Sequence, residues 1–431
     1  MAAIHETGRG AAIGHGRQSR AIRLTASSLA AFLLAGPALA TPALATPGER
    51  IAVDPSALPP PHATGSAYNA PREVARPAGA VPQVPPGFAV NLFAEGLPHA
   101  RALLVAPDGA VLLAQSREGT VTRFLDRDGD GRADEKSDYL TGLDLPHGLA
   151  FRGDQLFVAD AYGVWQVAYV PGAKAPAPPR RLTAEGDFGE TGGHWTRNLA
   201  FSADGREFFV AIGSEGNIAE EPEPRATIRR YDAGGGTGST FARGLRNPVG
   251  LAVHPDTGAL WTVVNKRDGL GDELVPDYLT EVVEGGFYGW PYGYLGLPDP
   301  RFGDRRPDLV AAMRQPDVLF RSHSAPLGLV FYDGTAFPPA YRGDAFVALH
   351  GSWNAGVPRG YQVVRVDFDR GRPVGNAYEI FADGFRTDAA GREGRAAVWG
   401  RPAGLAVMAD GALLVADDAG GTLWRITYKG P

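Results

Sequence analysis

Short apolar stretches alternating with small and polar residues at period two recur along this chain, each broken by an Asp-Gly-type turn and followed by a second apolar stretch. The copies read ARALLVAPDGAVLLAQ from Ala100, PHGLAFRGDQLFVAD from Pro146, TRNLAFSADGREFFVAIG from Thr196, NPVGLAVHPDTGALWTVV from Asn247, APLGLVFYDGTAF from Ala325 and RPAGLAVMADGALLVAD from Arg401. Anchored on the residue before the shared apolar pair, they start at Ala102, Gly148, Asn198, Gly250, Gly328 and Gly404, at spacings of 46, 50, 52, 78 and 76 residues. Two strands joined by a tight turn make a hairpin, and units of about 40–50 residues carrying four short strands are the blades of a propeller. The two long spacings read as loop insertions. The expectation is an all-β chain folded as a six-bladed β-propeller over residues 89–431. A β-sandwich would account for the strands but not for the recurring GLAF-like core.

The first 46 residues stand apart from the repeat. Arg17, Arg20 and Arg23 precede an apolar run from Leu24 to Ala35, and ALA follows at Ala38–Ala40 and again at Ala43–Ala45. A basic region, a short apolar core and small-residue cleavage sites describe a secretory signal peptide too short to span a bilayer. The expected mature protein is exported and periplasmic, with no membrane span. Residues 47–88 are rich in Pro, Ala and Gly without apolar periodicity, and read as an extended lead-in strap.

Composition narrows the chemistry. The chain has no cysteine, which excludes disulfides, thiolate metal sites and a covalent haem attachment, so a redox enzyme built on it must pass electrons to a separate acceptor. A net charge of −6 without any Lys or Arg run leaves nucleic acid and anionic membranes as unsuitable partners.

In register, the six copies place Arg101, His147, His194 with Arg197, Arg246 with Asn247, His323 with Ser324, and Arg401 just upstream of the innermost strands. In a propeller these positions meet at one mouth of the central channel. A ring of like charges facing inward destabilises the fold unless an anion neutralises it, so a compact polyanion is expected there. The string AGGGTGST from Ala233 opens no helix and reads as a blade turn rather than a phosphate loop. A small multi-carboxylate gripped by Arg forks fits better.

The motifs GGHWTRNLAFSADG from Gly192, GLRNPVGLAVHPDTGALW from Gly244, VNKRDGLGDELVPDYLTEVVEGGFYGWPY from Val264, ALHGSWN from Ala348 and GRPAGLAVMADGALLVADD from Gly400 resemble those of the soluble glucose/sorbosone dehydrogenases dependent on pyrroloquinoline quinone (PQQ), most closely the L-sorbosone dehydrogenase-like branch. The resemblance implies a six-bladed propeller that binds PQQ, a tricarboxylate, with Ca²⁺ at the channel mouth. It implies oxidation of a sugar hemiacetal or aldehyde, with electrons passed on to an external acceptor, a separate cytochrome or quinone. His194 would be the general base and Arg246 with Asn247 the pair beside the quinone. Arg101, His147, Arg197 and Arg401, with His350, Asn354 and Arg359 from the HGSWN region, would hold the cofactor. The same region offers Trp353, either at the cofactor or packed in a blade, and Trp290 and Tyr292 would wall the pocket or pack a blade corner. The calcium loop is NKRDGLGDE, where Asp268 and Gly269 are the expected ligand positions beside Asn265, Arg267 and Asp272.

A second metal signal is DRDGDGRADE, which sets Asp126, Asp128 and Asp130 at the first three positions of an oxygen-rich calcium loop, with the Arg132 carbonyl and Asp134 following. Ser137 stands where the bidentate Glu of a full EF-hand would be, so a structural Ca²⁺ or a solvated acidic turn are the two readings. Two other functions compete with the dehydrogenase: a metal-dependent, lactonase-like propeller hydrolase, and a non-catalytic binding propeller.

Overall fold

The computed structural model describes residues 46–173, 176–388 and 393–430, and all of the expected signal peptide but its last residue lies outside them. Six antiparallel sheets follow one another along the chain, and their innermost strands are Ala100–Val105, Gly148–Arg152, Leu199–Phe201, Asn247–Val253, Pro326–Phe331 and Pro402–Val407. Each innermost strand packs beside the next, and the sixth packs against the first, so the ring closes. These are the six repeats in order, and the molecule is the expected six-bladed β-propeller.

The Asp-Gly turns work as local chemistry dictates. In the first blade Gly109 takes a φ of 80°, and Asp108 Oδ1 accepts the Ala110 N–H at 3.3 Å. In the sixth, Gly411 at φ 83° follows Asp410, whose Oδ1 accepts the Ala412 N–H at 3.0 Å. The second strands show no alternation of burial. Val111–Gln115, Ala345–Leu349 and Leu413–Asp417 are buried at every position, because each blade is covered on both faces by its neighbours. The anchor glycines serve the same packing. A Cβ on Gly250 would lie 2.7 Å from the Leu327 carbonyl oxygen of the next blade.

Two features of the N-terminal segment were not visible in the repeat. Phe88–Glu95 pairs with Thr422–Tyr428 and supplies the outer strand of the sixth blade, which ties the two ends of the chain together. Before it, the strap is pinned rather than loose: Arg50–Ala52 pairs with Ala377–Ala382 as a fifth strand of the fifth blade, and Arg72–Glu73 runs parallel to Ala397–Val398. The first long spacing contains an excursion between Tyr278–Val282 and Val318–Leu319 that carries a small hairpin and the helix Pro307–Ala312. AGGGTGST is the turn between Thr227–Asp232 and Ser239–Arg243, as expected.

Candidate active site

In each blade the start of the innermost strand and the end of the second strand lie at the same end of a hairpin. That geometry brings two sets of residues to one mouth of the channel. The starts supply the cations read from the sequence; the ends supply carboxylates, of which Asp268 was expected as a calcium ligand and Asp418 was missed.

On one side, His194, Arg246, Asn247, Asn265, Lys266, Asp268, Asp277, His323, Ala325, Trp353 and Asn354 line a cavity of about 170 Å³. Arg246 is held from two directions. Its Nε donates to the Asn217 carbonyl at 2.9 Å and one terminal nitrogen donates to Asn217 Oδ1 at 3.0 Å and to Asp268 Oδ2 at 3.2 Å; the other donates to the Lys266 carbonyl at 2.8 Å. Asp268 also accepts from Asn354 Nδ2 at 2.7 Å and lies 3.4 Å from His323 Nδ1. Burial opposes ionisation of Asp268, but His323 and Arg246 overcome it and hold the carboxyl below its usual range. Lys266 is fully enclosed, and burial, reinforced by Arg246, pushes its ammonium down to about 7.

His194 Nδ1 lies 2.8 Å from the Ser214 carbonyl oxygen and 3.0 Å from Ser214 Oγ. A carbonyl can only accept, so Nδ1 carries the proton and Nε2 keeps its lone pair. Burial pushes the imidazole down to about 4, with the Arg246 charge acting in the same direction. His194 is therefore neutral at neutral pH.

Across the mouth lies a second cluster. Arg101 donates to Asp418 Oδ2 at 2.6 Å, and His350 Nε2 lies 2.7 Å from Asp418 Oδ1. Burial and the Arg401 charge push His350 down to about 4, so it donates to Asp418 as a neutral ring. Burial resists the Asp418 charge, but His350 and Arg101 outweigh it and the carboxyl stays ionised. Arg401 donates to the His350 and Gly351 carbonyls at 3.1 and 2.8 Å. Arg101 lies over the Trp195 ring at 5.2 Å, and His147 meets the same ring edge-on at 5.9 Å. His147 is kept neutral, its imidazole pushed down to about 3 by burial and by Arg101 and Arg197. The channel beneath, about 370 Å³, is walled mostly by aliphatic strand residues, with Arg101 and His147 at its rim.

The expected unneutralised cationic ring is thus corrected: Asp268 and Asp418 already face Arg246 and Arg101. Arg197 is 1% exposed and turned to the His194 and Thr196 carbonyls, outside the cavity beside His194. Arg359 is likewise away from it, bound to Glu273 and Asp272 at 2.9 and 3.2 Å. Trp290 packs the blade corner, where its Nε1 donates to the Asn217 carbonyl at 3.0 Å; Tyr292 donates to Glu220. Asn217, Lys266 and Asp418 were missed. The signal for two of them was available, because Lys266 and Asp418 directly follow second strands.

Whether these residues suit a planar, anionic, oxygen- and nitrogen-rich cofactor can be judged from the cavity itself. Asn247 lines it with a buried Oδ1 that has no hydrogen-bond partner, next to the cationic Arg246, the Lys266 amine and the Asn354 amide. That donor and acceptor set fits PQQ. In the other metal loop, Asp126, Asp128 and Asp130 bring carboxylate oxygens within 4.8 Å of one another. Asp134 instead accepts from the Arg127 N–H at 2.7 Å, and the Arg132 N–H donates to Asp130 at 2.8 Å. This loop joins the third and fourth strands of the first blade, far from His194 in sequence and fold.

Fold and site together define a propeller with a buried, axial, mixed-charge pocket around a neutral imidazole. The chain belongs to the TrAA12-like family, whose pattern matches residues 82–277 and 307–429. It is similar to a PQQ-dependent sugar dehydrogenase of Hypocrea jecorina, at 25% identity over 62% of this chain and 72% of that one. It is also similar to the aldose sugar dehydrogenase YliI of Escherichia coli, at 27% identity over 34% of this chain and 43% of that one. An uncharacterised protein of Borreliella burgdorferi is 30% identical over 55% of this chain, and the chain spans only 61% of its length. Among solved structures, the holo PQQ domain of pyranose dehydrogenase from Coprinopsis cinerea superposes with a TM-score of 0.68 over 84% of this chain and all of that one, at 21% identity. An AA12 enzyme of Trichoderma reesei gives the same TM-score over 80% of this chain and 97% of that one, also at 21% identity. The resemblance read from the motifs therefore holds at the level of the family.

Proposed function

We infer that this protein is a PQQ-dependent dehydrogenase that oxidises the hemiacetal or aldehyde group of a sugar. The observation that carries this reading is the His194 imidazole, fixed with a free Nε2 lone pair in the same cavity as Arg246 and the unpartnered Asn247. Bound PQQ would supply the two-electron acceptor, with Ca²⁺ as a Lewis acid held by carbonyl oxygens of the loop around Asp268 and Gly269. Arg246, Asn247, Lys266 and Asn354 would hold the cofactor on one side, and Arg101, Arg401 and His350 would face its remaining carboxylates. His194 takes the proton of the sugar hydroxyl at Nε2, and the Ser214 carbonyl steadies the resulting imidazolium through Nδ1. The guanidinium of Arg246 stabilises negative charge developing beside it. Export to the periplasm, and delivery of electrons to an external cytochrome or quinone, complete the reading.

Reconstitution of the apo-protein with PQQ and Ca²⁺ tests it. Saturable quinone uptake with sugar-dependent dye reduction is expected. His194→Ala should keep the uptake and lose the reduction by at least about a hundredfold. Absence of quinone uptake would refute the dehydrogenase and leave a binding propeller.

A further inference from the structure

The strap ahead of the propeller lies outside the residues that match the family, which begin at 82, yet it is built into the rim of the site. The His62 N–H donates to the Leu270 carbonyl at 2.7 Å, and Thr64 Oγ1 accepts the Asp272 N–H at 2.8 Å. Asn69 then clamps the other loop: its N–H donates to the Trp353 carbonyl at 2.7 Å and its Nδ2 to the Ala355 carbonyl at 2.7 Å. Gly356 and Asp272 join the two loops directly, at 2.7 Å. These are the loops that carry Asp268 and Asn354 into the cavity.

Between Thr64 and Asn69 the strap carries Tyr68, which is 77% exposed. Its ring meets Trp353 edge-on, with centroids 5.7 Å apart and planes at 69°. Trp353 lines the cavity and is itself 44% exposed. Two large aromatic rings are thus held steeply inclined to each other in water at the lip of a polar pocket, by a segment anchored on both sides. Keeping them wet forgoes the burial that aromatic side chains ordinarily gain. The C–H face of a pyranose is the apolar side of an otherwise hydroxylated ring, and it suits such a corner, with its hydroxyl edge directed to the polar groups below.

We propose that Tyr68 and Trp353 form a saccharide-contacting wall, so that the strap is a specificity element for a pyranose ring, including the terminal ring of an oligosaccharide. This rests on the reading of the cavity as a sugar-oxidising site, and the experiment separates the two. Glucose, cellobiose and maltose are titrated into wild-type apo-protein, Tyr68→Ala, Tyr68→Phe and Trp353→Ala, with binding read by saturation-transfer NMR. Quinone uptake and steady-state kinetics are followed on the reconstituted forms of the same proteins. Loss of one aromatic contact should weaken saccharide binding about five- to tenfold in Tyr68→Ala and Trp353→Ala, while Tyr68→Phe, which keeps the ring, binds as wild type. In the reconstituted Tyr68→Ala enzyme the same factor should appear in KM, with kcat within about twofold. Undiminished saccharide binding and KM in Tyr68→Ala, with quinone uptake and turnover intact, would overturn the wall and leave the dehydrogenase standing. Saccharide binding that falls in both alanine variants, in a protein that takes up no quinone, would support the wall and sink the dehydrogenase.

Discussion

In the proposed reaction the protonation state of His194 is the decisive quantity, and its expected displacement is large. Burial, followed by the neighbouring Arg246 charge, places the folded-state pKa at about 4 against an ordinary value of 6.5. At pH 7 about one molecule in a thousand then carries an imidazolium, compared with about one in four for an unshifted histidine. The acid limb of kcat/KM that His194 sets, which reports the free enzyme, should fall with an apparent pKa near 4. Arg246→Gln removes the second-largest cause and also leaves Asp268 less well neutralised. Both effects favour the imidazolium, so the limb should move upward. The sign for stability follows from the same shift. Because the folded pKa is lowered, the unfolded chain binds more protons between pH 6.5 and 4; the His194 contribution is intact above 6.5 and declines by about 3 kcal/mol as pH falls to 4. His194→Gln should lose that part of the acid sensitivity. NMR titration of the apo-protein, with His194 assigned by its loss in the variant, measures the pKa without reference to turnover. A midpoint at or above 6, or an acid limb there, would refute the argument that desolvation and Arg246 set the base.

Other expectations concern packing, the second cluster and the metal loop. Gly250→Ala puts a methyl 2.7 Å from the Leu327 carbonyl of the adjoining blade and should cost about 2–3 kcal/mol in urea unfolding, whereas Gly234→Ala, with open space around it, should change stability by less than about 0.5 kcal/mol. Asp418→Asn strips the largely enclosed Arg101 of its carboxylate and should destabilise by about 3 kcal/mol at pH 7; a Tm equal to that of the wild type would show that the pair is dispensable. If Asp126, Asp128 and Asp130 hold calcium, adding the ion at about a hundred times its Kd should stabilise the wild type by about 2.7 kcal/mol. Asp128→Asn with Asp130→Asn should lose most of that gain, and equal stabilisation of both proteins would assign the ion elsewhere.

How much of this was legible in the sequence depended on how local the signal is. The hairpins were readable because both strands and the Asp-Gly turn sit within a few residues, and the anchor glycines marked where neighbouring blades touch. Arg246 and His194 were readable because they sit at fixed offsets from those anchors. The carboxylates required one further step, since Asp418 and Asp268 reach the same mouth only through antiparallel pairing of the first and second strands. Asn217 lies in a loop with no periodicity and holds Arg246 by one carbonyl and one amide oxygen, which leaves no pattern. The closure of the sixth blade by Phe88–Glu95, and the path of the strap over the site, are pairings across more than 200 residues, and no local spacing encodes them.

The carboxylates change what the cation ring implies. A ring of unpaired guanidinium groups would make the folded state depend on its anion, so cofactor loading and folding would be one event. Here Asp268 answers Arg246, and Asp418 answers Arg101, before any ligand arrives. The pocket is then a preformed site in which an incoming carboxylate shares existing donors instead of rescuing a buried charge. His194, fixed by the Ser214 carbonyl, needs no ligand to hold its tautomer. On the proposed function, quinone loading is an ordinary binding equilibrium on a folded protein, and the added stability should follow the logarithm of free quinone over its Kd. Folding that depended on quinone would mean that the two carboxylates do not neutralise the mouth of the channel.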